Sequence, residues 1–418
     1  MSGDLIRNAS LRRFLPSLDG LPRNARGAIV TEPLWAVFGT VVLYYAPLYM
    51  REVGLTSPQI GIVGSITLAF SFVFQILAAP ITNRMGRKRT TLFWDLVSWS
   101  VPMALWALAG NFDAFVIAGV LNATNRIVTV SWSLLVVEDV PQTQRARVLG
   151  ILNLIVALCG LLTPLVGLVM TSIGAEATLR AYYALGAVGM TVMFFWRNAL
   201  TDETRVGQAA MLEHRDLDPL QSLRETGRHL ATLRAHSGLP LVTAFYVLSV
   251  FIEQMSLFQI LYYREVLGAS VAALSFVPVA SAAVTILMYA FVLRRIAHVL
   301  PERTLLFTRA VGAIGALLLL IVPPGQLASL LLVVMIVSAA TFLTQTYRDT
   351  VLFARLPERG SADLYSGVQL TALLLSTPAA GLAGWIYHDR PRALFLVIAV
   401  LNVALLLLAA RLAARSTR

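Results

Sequence analysis

Twelve apolar runs occupy most of the length of this chain, and they limit the folds that it can adopt. A run of about 20 apolar residues crosses the hydrocarbon core of a bilayer when it is helical. Lipid offers no hydrogen-bonding partner to the backbone, so we expect every run to be an α-helix. The predicted spans are residues 29–50, 58–82, 90–110, 113–137, 148–172, 179–198, 239–262, 270–293, 303–322, 326–348, 365–387 and 392–413.

The composition excludes a soluble globular domain. Hydrophobic residues make up 57% of the chain and charged residues only 13%, whereas a typical soluble domain has about 25% charged residues. The net charge of +11 would suit a nucleic-acid partner, but the basic residues flank the apolar runs and form no single basic module. Cys159 is the single cysteine, so an internal disulfide is excluded. We therefore predict an all-α polytopic membrane protein that contacts the lipid bilayer and binds no nucleic acid.

Lysine and arginine predict the orientation of the spans, because cytoplasmic loops retain positive charge. One side of the predicted topology collects 25 of the 33 basic residues, and the other side collects five. An even number of spans places both termini on one side of the membrane. We therefore predict a multi-pass protein of the cytoplasmic (inner) membrane with both termini in the cytoplasm.

Three short phrases recur at an offset of 213 or 214 residues. YMREVGLTS at 49–57 returns as YYREVLGAS at 262–270, RTTL at 89–92 as RTLL at 303–306, and LLTPLVG at 161–167 as LSTPAAG at 375–381. Each phrase falls at the same point of a six-span half, which predicts two six-helix bundles related by a pseudo-twofold axis along the membrane normal. The predicted segments are a cytoplasmic N-terminal segment (1–28), an N-terminal bundle (29–198), a cytoplasmic linker (199–238), a C-terminal bundle (239–413) and a cytoplasmic tail (414–418).

The segment APITNRMGRKRTT between spans 2 and 3 resembles a motif of the major facilitator superfamily, G-x-x-x-D-R-x-G-R-[RK]-[RK], which lies in the same loop. Ala79 replaces the first glycine of the motif, and Asn83 replaces the aspartate. The resemblance extends over the twelve spans, the central loop and the repeat, and it implies a bacterial, twelve-span transporter. The matching residues are Arg84, Gly86, Arg87, Lys88 and Arg89.

The resemblance implies that this loop helps to latch the two bundles on the cytoplasmic side, near the start of span 11. Asn83 brings no charge, so we expect a weaker latch in this chain. The alternative is that the loop cations only set the topology. The predicted cytoplasmic gate consists of Asn83, Arg84, Gly86, Arg87, Lys88, Asp95, Glu138 and Asp139.

Span 5 resembles the antiporter signature of the same family, G-x-x-x-G-P-x-x-G-G, through Gly160, Pro164 and Gly167. Thr163 stands where the signature has the glycine before proline. The repeat places Pro378 at the equivalent point of span 11, and we expect both prolines to kink their helices. The resemblance implies antiport, and the alternative is that these residues serve helix packing alone.

Two charged residues fall near the middle of predicted spans. Arg126 lies on span 4, where Asn122, Asn125 and Thr129 share its face at helical spacing. Glu253 lies on span 7, about 14 residues from its start. A charge at this depth costs at least ~2.5–3.5 kcal/mol, so it faces a cavity or a partner and is a candidate functional residue.

The family resemblance implies that spans 1, 4, 7 and 10 line a central cavity. We predict that Arg126 engages an anionic substrate or a carboxylate, while Glu253 or Glu32 carries a proton. The alternative is a permanent salt bridge between Arg126 and Glu32 or Glu253 that only holds the helices together. The predicted substrate cavity consists of Arg126, Asn122, Asn125, Thr129, Glu253, Tyr246, Ser249, Gln345, Tyr44 and Trp35.

The predicted function is secondary active transport of a small organic molecule by alternating access, in the form of proton-coupled efflux. Proton-coupled uptake of a small organic anion stays open, as does a non-transporting receptor or enzyme on the same fold. The sequence has no G-x-x-x-x-G-K-[ST] phosphate loop, and its five histidines fall in predicted loops. We therefore predict no enzymatic activity, no cofactor and no metal. We expect a monomer.

Overall fold

The computed structural model describes residues 18, 20–213, 239–296, 298–356 and 361–416. Helices contain nearly all of these residues, and the described part of the chain has no strand. Twelve long helical segments follow the predicted spans in order. They are α1 (Arg23–Glu52), α2 (Ser57–Met85), α3 (Arg87–Leu108), α4 (Phe112–Val137), α5 (Gln142–Ile173), α6 (Ala175–Leu200), α7 (Leu239–Glu265), α8 (Val271–Val292), α9 (Pro301–Ile321), α10 (Leu327–Phe353), α11 (Ser361–Ser376 and Ala379–Asp389) and α12 (Pro391–Ser416).

Within the described residues, eleven of these helices are long and apolar enough to cross a membrane. The exception is α6, whose mean hydropathy is lowered by Glu176, Arg180 and Arg197. It has 26 residues, which at 1.5 Å per residue gives about 39 Å and exceeds the ~30 Å hydrocarbon core. The all-α polytopic fold is confirmed, and the count of twelve crossings depends on α6.

Successive helices run in opposite directions, so their ends gather on two sides of the molecule. We call these sides the Arg87 end, where α1 and α3 begin, and the Glu265 end, where α1 and α7 end. At the Arg87 end, α2 and α3 are separated by Gly86 alone, whose φ of 83° suits glycine and few other residues. The sequence-based topology assigns the Arg87 end to the cytoplasm, and this orientation stays a prediction.

The helices pack in two sets, α1–α6 and α7–α12, which meet along α2 with α11 and along α5 with α8. Small residues allow this approach at equivalent points of the two halves. A Cβ atom on Gly167 of α5 would lie 2.5 Å from the Ser275 side chain of α8. At the position 214 residues later, the backbone N–H of Gly381 on α11 donates to Ser65 Oγ of α2 at 2.9 Å. The matched contacts agree with a pseudo-twofold relation between the two bundles.

Polar contacts hold the two bundles together at the Glu265 end. Arg51 of α1 forms a salt bridge with Glu265 of α7, with 2.8 Å between Nε and Oε1. The Tyr44 hydroxyl donates to the carbonyl oxygen of Leu274 at 2.9 Å. Among the described residues, the hydrogen bonds and salt bridges that join the two bundles all lie in this half of the molecule. The bundles are therefore closed on each other at the Glu265 end.

The predicted segment boundaries stay predictions, and parts of them lie outside the described residues. These parts are residues 1–17 and 19 of the N-terminal segment, residues 214–238 of the linker and residues 417–418 of the tail. In the described parts, α1 begins at Arg23, before the predicted start at residue 29. The linker begins with a short helix, Arg205–Glu213, that packs against α2.

Both helices in which we predicted a proline kink are interrupted beside that proline. Within α5, one helical segment ends at Gly160 and the next begins at Thr163, with Pro164 in its first turn. Within α11, the interruption falls at Thr377 and Pro378. Proline lacks a backbone N–H and cannot continue the helical hydrogen bonds, which accounts for both positions.

Candidate transport site

A central cavity of about 590 Å³ lies between α1 of the first bundle and α7, α8 and α10 of the second. This volume falls in the range of small-molecule sites. The cavity contains three of the predicted substrate residues, Tyr44, Glu253 and Gln345. Further polar side chains line it from the C-terminal bundle, namely Ser256, Gln259, Ser281, Thr285, Ser338 and Thr341.

Glu253 is held in the cavity wall by a salt bridge to Arg348 of α10, with 3.2 Å between Oε1 and Nη1. The Glu253 side chain is 38% exposed and that of Arg348 only 10%, so the carboxylate reaches the cavity while the cation stays behind it. Arg348 also lies over the Tyr246 ring, 4.2 Å from its centroid, and its Nε is 3.8 Å from Asp349. The pair therefore combines a carboxylate that is accessible from the cavity with a cation that is nearly buried.

Arg126 lies on α4 and is not among the residues that line the central cavity. The helix is interrupted at Thr124, two residues before it. No hydrogen bond or salt bridge joins Arg126 to another described residue. Tyr246 on α7 is near enough to interact with it electrostatically. Arg126 is thus a half-buried cation that faces the Tyr246–Arg348 side of the second bundle without a carboxylate of its own.

The other polar residues that we predicted to share a face of α4 with Arg126 lie against the first bundle. The Asn122 amide donates to the Ser98 carbonyl at 2.7 Å, and the Asn125 side chain accepts from Trp99 Nε1 at 3.1 Å. Thr129 lines a cavity of about 200 Å³ inside this bundle. These residues join α4 to α3 in the described structure, and their predicted contact with substrate stays a prediction.

This N-bundle cavity, of about 200 Å³, contains an acid–base cluster. It is lined by Glu32 of α1, Asp95 of α3, Arg197 of α6 and the ring of Trp35. Asp95 and Arg197 form a salt bridge whose side chains are 3% and 7% exposed. Glu32 is 6% exposed and interacts electrostatically with Arg197. Within this bundle, two carboxylates therefore surround one buried cation.

A third cavity, of about 220 Å³, lies inside the C-terminal bundle and shares Glu253 with the central cavity. We call it the C-bundle cavity. Arg309 of α9 lines it and is 7% exposed. Arg309 Nη2 donates to the carbonyl oxygen of Ala340 at 3.1 Å, while its buried Nε has no hydrogen-bond partner. Ser249, a predicted cavity residue, also lines this space.

The predicted gate residues form a network at the Arg87 end of the first bundle. Arg87 is paired with Glu138 of α4 through its Nε and Nη2 at 3.0–3.2 Å, and its Nη1 donates to Asn83 at 3.1 Å. Glu203, just after α6, accepts from the backbone N–H groups of Arg87 and Lys88 at 2.9 and 3.0 Å. The negative side chain thus caps the start of α3.

Other predicted gate residues lie apart from this network. Asp95 is inside the bundle with Arg197, while Arg84 and Asp139 are exposed. The second bundle has its own salt bridge at the same end, Glu302 with Arg355, at 3.0 Å between Oε1 and Nη2. Within the described residues, each of these ion pairs stays inside one bundle, so the role of the predicted gate as a latch between bundles stays a prediction.

Neither of the alternative salt bridges predicted for Arg126 is present among the described residues. Glu253 pairs with Arg348 instead, and Glu32 lies beside Arg197. The predicted site also left out Arg197, Arg309, Arg348 and Glu203. The internal repeat could have indicated Arg309 as a site residue, because Arg309 stands 214 residues after the predicted site residue Asp95, which is the offset of the repeat.

Two helical bundles that enclose polar cavities, with charged side chains deep inside long apolar helices, define a membrane transport protein. The sequence model of the Major Facilitator Superfamily matches residues 34–376 of the chain. The chain therefore belongs to the Major Facilitator Superfamily, and it is a transporter and not an enzyme. This match confirms the resemblance seen in the sequence.

Two curated relatives are similar to parts of the chain. The probable sulfoacetate transporter SauU of Cupriavidus necator is 29% identical over 177 residues, which is 38% of this chain and 38% of the relative. The methylenomycin A resistance protein of Streptomyces coelicolor is 29% identical over 192 residues, which is 45% of this chain and 40% of the relative. The chain thus matches about two-fifths of the length of either relative.

Solved transporter structures share the fold over nearly the whole chain. A POT family transporter in complex with 5-aminolevulinic acid has a TM-score of 0.75 at 12% identity, covering 96% of this chain and 98% of that chain. A point mutant of the nucleoside transporter NupG has a TM-score of 0.71 at 10% identity, with 93% and 98% coverage. At such identities the similarity shows the fold alone.

Proposed function

We propose that this protein is a secondary active transporter that moves a small organic anion by alternating access, with Glu253 as the proton carrier. The observation that carries the proposal is the position of Arg126, a half-buried cation with no ion pair among the described residues. It faces the second bundle, where Arg348 is already paired with Glu253. An anion between the two arginines would supply the missing negative charge.

The Glu253–Arg348 pair supports a coupling mechanism. An anionic group that binds Arg348 competes with Glu253 for the same cation. Once Glu253 loses that partner, its carboxylate is less stabilised in the charged form and takes up a proton. Anion and proton would then bind together and cross together, which favours symport. In their absence, the internal salt bridge is restored and the empty carrier can return.

This mechanism favours the uptake alternative over the predicted efflux. Antiport requires substrate and proton to displace each other, whereas an exchange of partners at Arg348 makes each promote the binding of the other. The name of the SauU relative, a probable sulfoacetate transporter, supports an anionic substrate. The methylenomycin A resistance relative supports efflux, so the direction needs a test that separates the two.

Proteoliposomes that contain the purified full chain provide that test. We would impose an acidic exterior and measure the accumulation of labelled sulfoacetate, succinate and butyrate. The proposal expects accumulation above equilibrium for at least one of these anions, and its loss in Glu253→Gln, while that variant still exchanges anion across the membrane without a gradient. Accumulation that Glu253→Gln leaves unchanged would contradict the role of Glu253, and accumulation driven only by an acidic interior would indicate antiport.

A further inference from the structure

The C-bundle cavity contains a cation that the exchange between Glu253 and Arg348 does not use. Arg309 is 7% exposed and lies on α9 behind the wall of the central cavity. Its guanidinium makes one hydrogen bond, to the Ala340 carbonyl, and its buried Nε makes none. Burial of a cation with so few partners is costly, and a cost of this kind inside a membrane helix points to a function.

The surroundings of Arg309 leave it short of negative charge. Glu253 and Arg348 are both within electrostatic range of it, but Glu253 forms its salt bridge with Arg348. Asp349, the other carboxylate of the group, lies next to Arg348 as well. Within the described residues, neither acid has a hydrogen bond to Arg309. The cavity that it lines also has polar side chains among apolar ones, namely Ser249, Gln259, Thr341, Thr344 and Asn402.

The charged residues on and near the central and C-bundle cavities can be counted. Glu253 and Arg309 line the C-bundle cavity, Arg348 and Asp349 lie next to Glu253, and Arg126 lies near Tyr246, which gives a net charge of +1. The proposed uptake of a proton by Glu253 raises the net charge to +2. A substrate with two negative charges would restore neutrality, whereas a monoanion would leave one cation buried without compensation.

The space available agrees with two anionic groups. The C-bundle cavity lies next to the central cavity, and the two share lining residues, among them Glu253, Gln259 and Thr341. A water molecule takes about 30 Å³, so a cavity of about 220 Å³ holds a carboxylate-sized group and some water. A ligand that replaces Glu253 at Arg348 with one anionic group would extend its second group towards Arg309, since Glu253 and Arg309 line the same cavity.

We propose that Arg309 binds the second anionic group of the substrate, so that the transporter selects small dianions over monoanions of the same size. This inference rests on the proposed function, because it assigns a further contact in the same site. Arg309 would act as a specificity-determining residue. Its replacement would weaken binding of the second anionic group of the ligand and leave binding of the first group unchanged.

Binding of succinate and butyrate to the purified full chain tests the proposal, because the two acids have four carbons each and differ in one carboxylate. Ligand-dependent thermal stabilisation at constant ionic strength gives both dissociation constants. A charge-assisted hydrogen bond is among the stronger polar contacts, so we expect succinate to bind at least about tenfold more tightly. Arg309→Met should remove this preference and leave butyrate binding within about twofold, while Arg309→Lys should restore part of it.

Specific results would overturn the proposal. It fails where the wild type binds both acids equally, or where Arg309→Met weakens both to the same extent. Chloride binding that is lost in Arg309→Met, with both acids unaffected, would assign Arg309 to an inorganic anion. Absence of binding by either acid would contradict the proposed function as well.

The stability of the unliganded variant separates a binding role from a structural one. Replacement of an uncompensated buried cation by an apolar side chain of similar length should leave the unfolding temperature unchanged or raise it. A lower unfolding temperature of unliganded Arg309→Met would show that the guanidinium holds the bundle together, and would overturn the proposal.

Discussion

The two bundles have the same helical plan but place their buried charges differently. In the first bundle, Asp95 and Arg197 form a salt bridge that is almost fully buried. In the second, the position equivalent to Asp95 is Arg309, whose guanidinium makes one hydrogen bond, to the Ala340 carbonyl oxygen. The difference indicates that the buried arginine of the first bundle has its counter-charge within that bundle, whereas Arg309 of the second has no salt bridge to another described residue. The repeat thus preserved the architecture while the electrostatic roles of the halves diverged.

The largest expected effect tests whether the buried charges of the first bundle are structural. Arg197→Met leaves Glu32 and Asp95 buried without their cation, and we expect a loss of roughly 3–5 kcal/mol in the free energy of unfolding. The loss should be smaller at low pH, because protonated carboxyl groups need no counter-charge. Chemical denaturation of the detergent-solubilised protein at two pH values measures it. Arg309→Met is the matched control in the other bundle, and an equal loss there would remove the distinction between the bundles.

The next effect concerns the cation that faces the second bundle. Arg126→Gln should weaken anion binding by about 1.5–3 kcal/mol, because it removes a charge-assisted contact. Arg126→Lys keeps the charge and should retain part of the affinity, although it loses the planar fork of the guanidinium. Uptake of labelled succinate by proteoliposomes reports both variants. Unchanged uptake by Arg126→Gln would show that Arg126 does not contact the substrate.

A smaller effect is expected at the Arg87 end. Glu203→Gln removes the negative charge that accepts from the first N–H groups of α3, and loss of such a cap costs about 0.5–2 kcal/mol. Denaturation curves of the variant measure this loss. Asp202→Asn is the neighbouring control, because its salt bridge with Arg23 has side chains 60% and 58% exposed and should contribute little. Equal stability of the two variants would contradict the capping role.

The smallest effect tests the contact between the bundles. Glu265→Gln weakens the partly exposed salt bridge with Arg51, which is worth about 0–1 kcal/mol, and it should shift some molecules towards a form that is open at the Glu265 end. Distances between spin labels on α1 and α7 at that end would report the shift. Glu176→Gln breaks the Arg180 pair within α6 and should leave those distances unchanged. The same shift in both variants would exclude a specific role for Arg51 and Glu265.

The sequence predicted the helices because their cause is local. Apolar runs must be helical in lipid, and proline or glycine marked several of the interruptions, including those at Pro164 and Pro378. Helix ends were less accurate, since polar residues can continue a helix beyond the hydrocarbon core. The start of α1 at Arg23 is an example, because Asn24 and the following residues contact the segment after α6.

The partners of the charged residues could not be predicted, because they lie on helices that are far apart in the sequence. Arg348 contacts its neighbour Asp349 at 3.8 Å, yet its shorter contact, at 3.2 Å, is with Glu253, 95 residues away. Arg197 stands near the end of predicted span 6, where a cation would suit a cytoplasmic loop, but it is buried beside Asp95, 102 residues away. Helical spacing predicts which face a residue occupies, but the long arginine side chain decides which of two neighbouring helices it reaches.

We propose that an anion replaces Glu253 at Arg348 and that Glu253 then takes up a proton. Proton exchange during anion binding distinguishes this coupling from anion binding alone. It is measured by titration calorimetry of the purified protein in buffers with different ionisation enthalpies, with succinate as the ligand. The account predicts uptake of about one proton per bound anion in the wild type and none in Glu253→Gln. Binding without proton uptake, or with proton release, would contradict it.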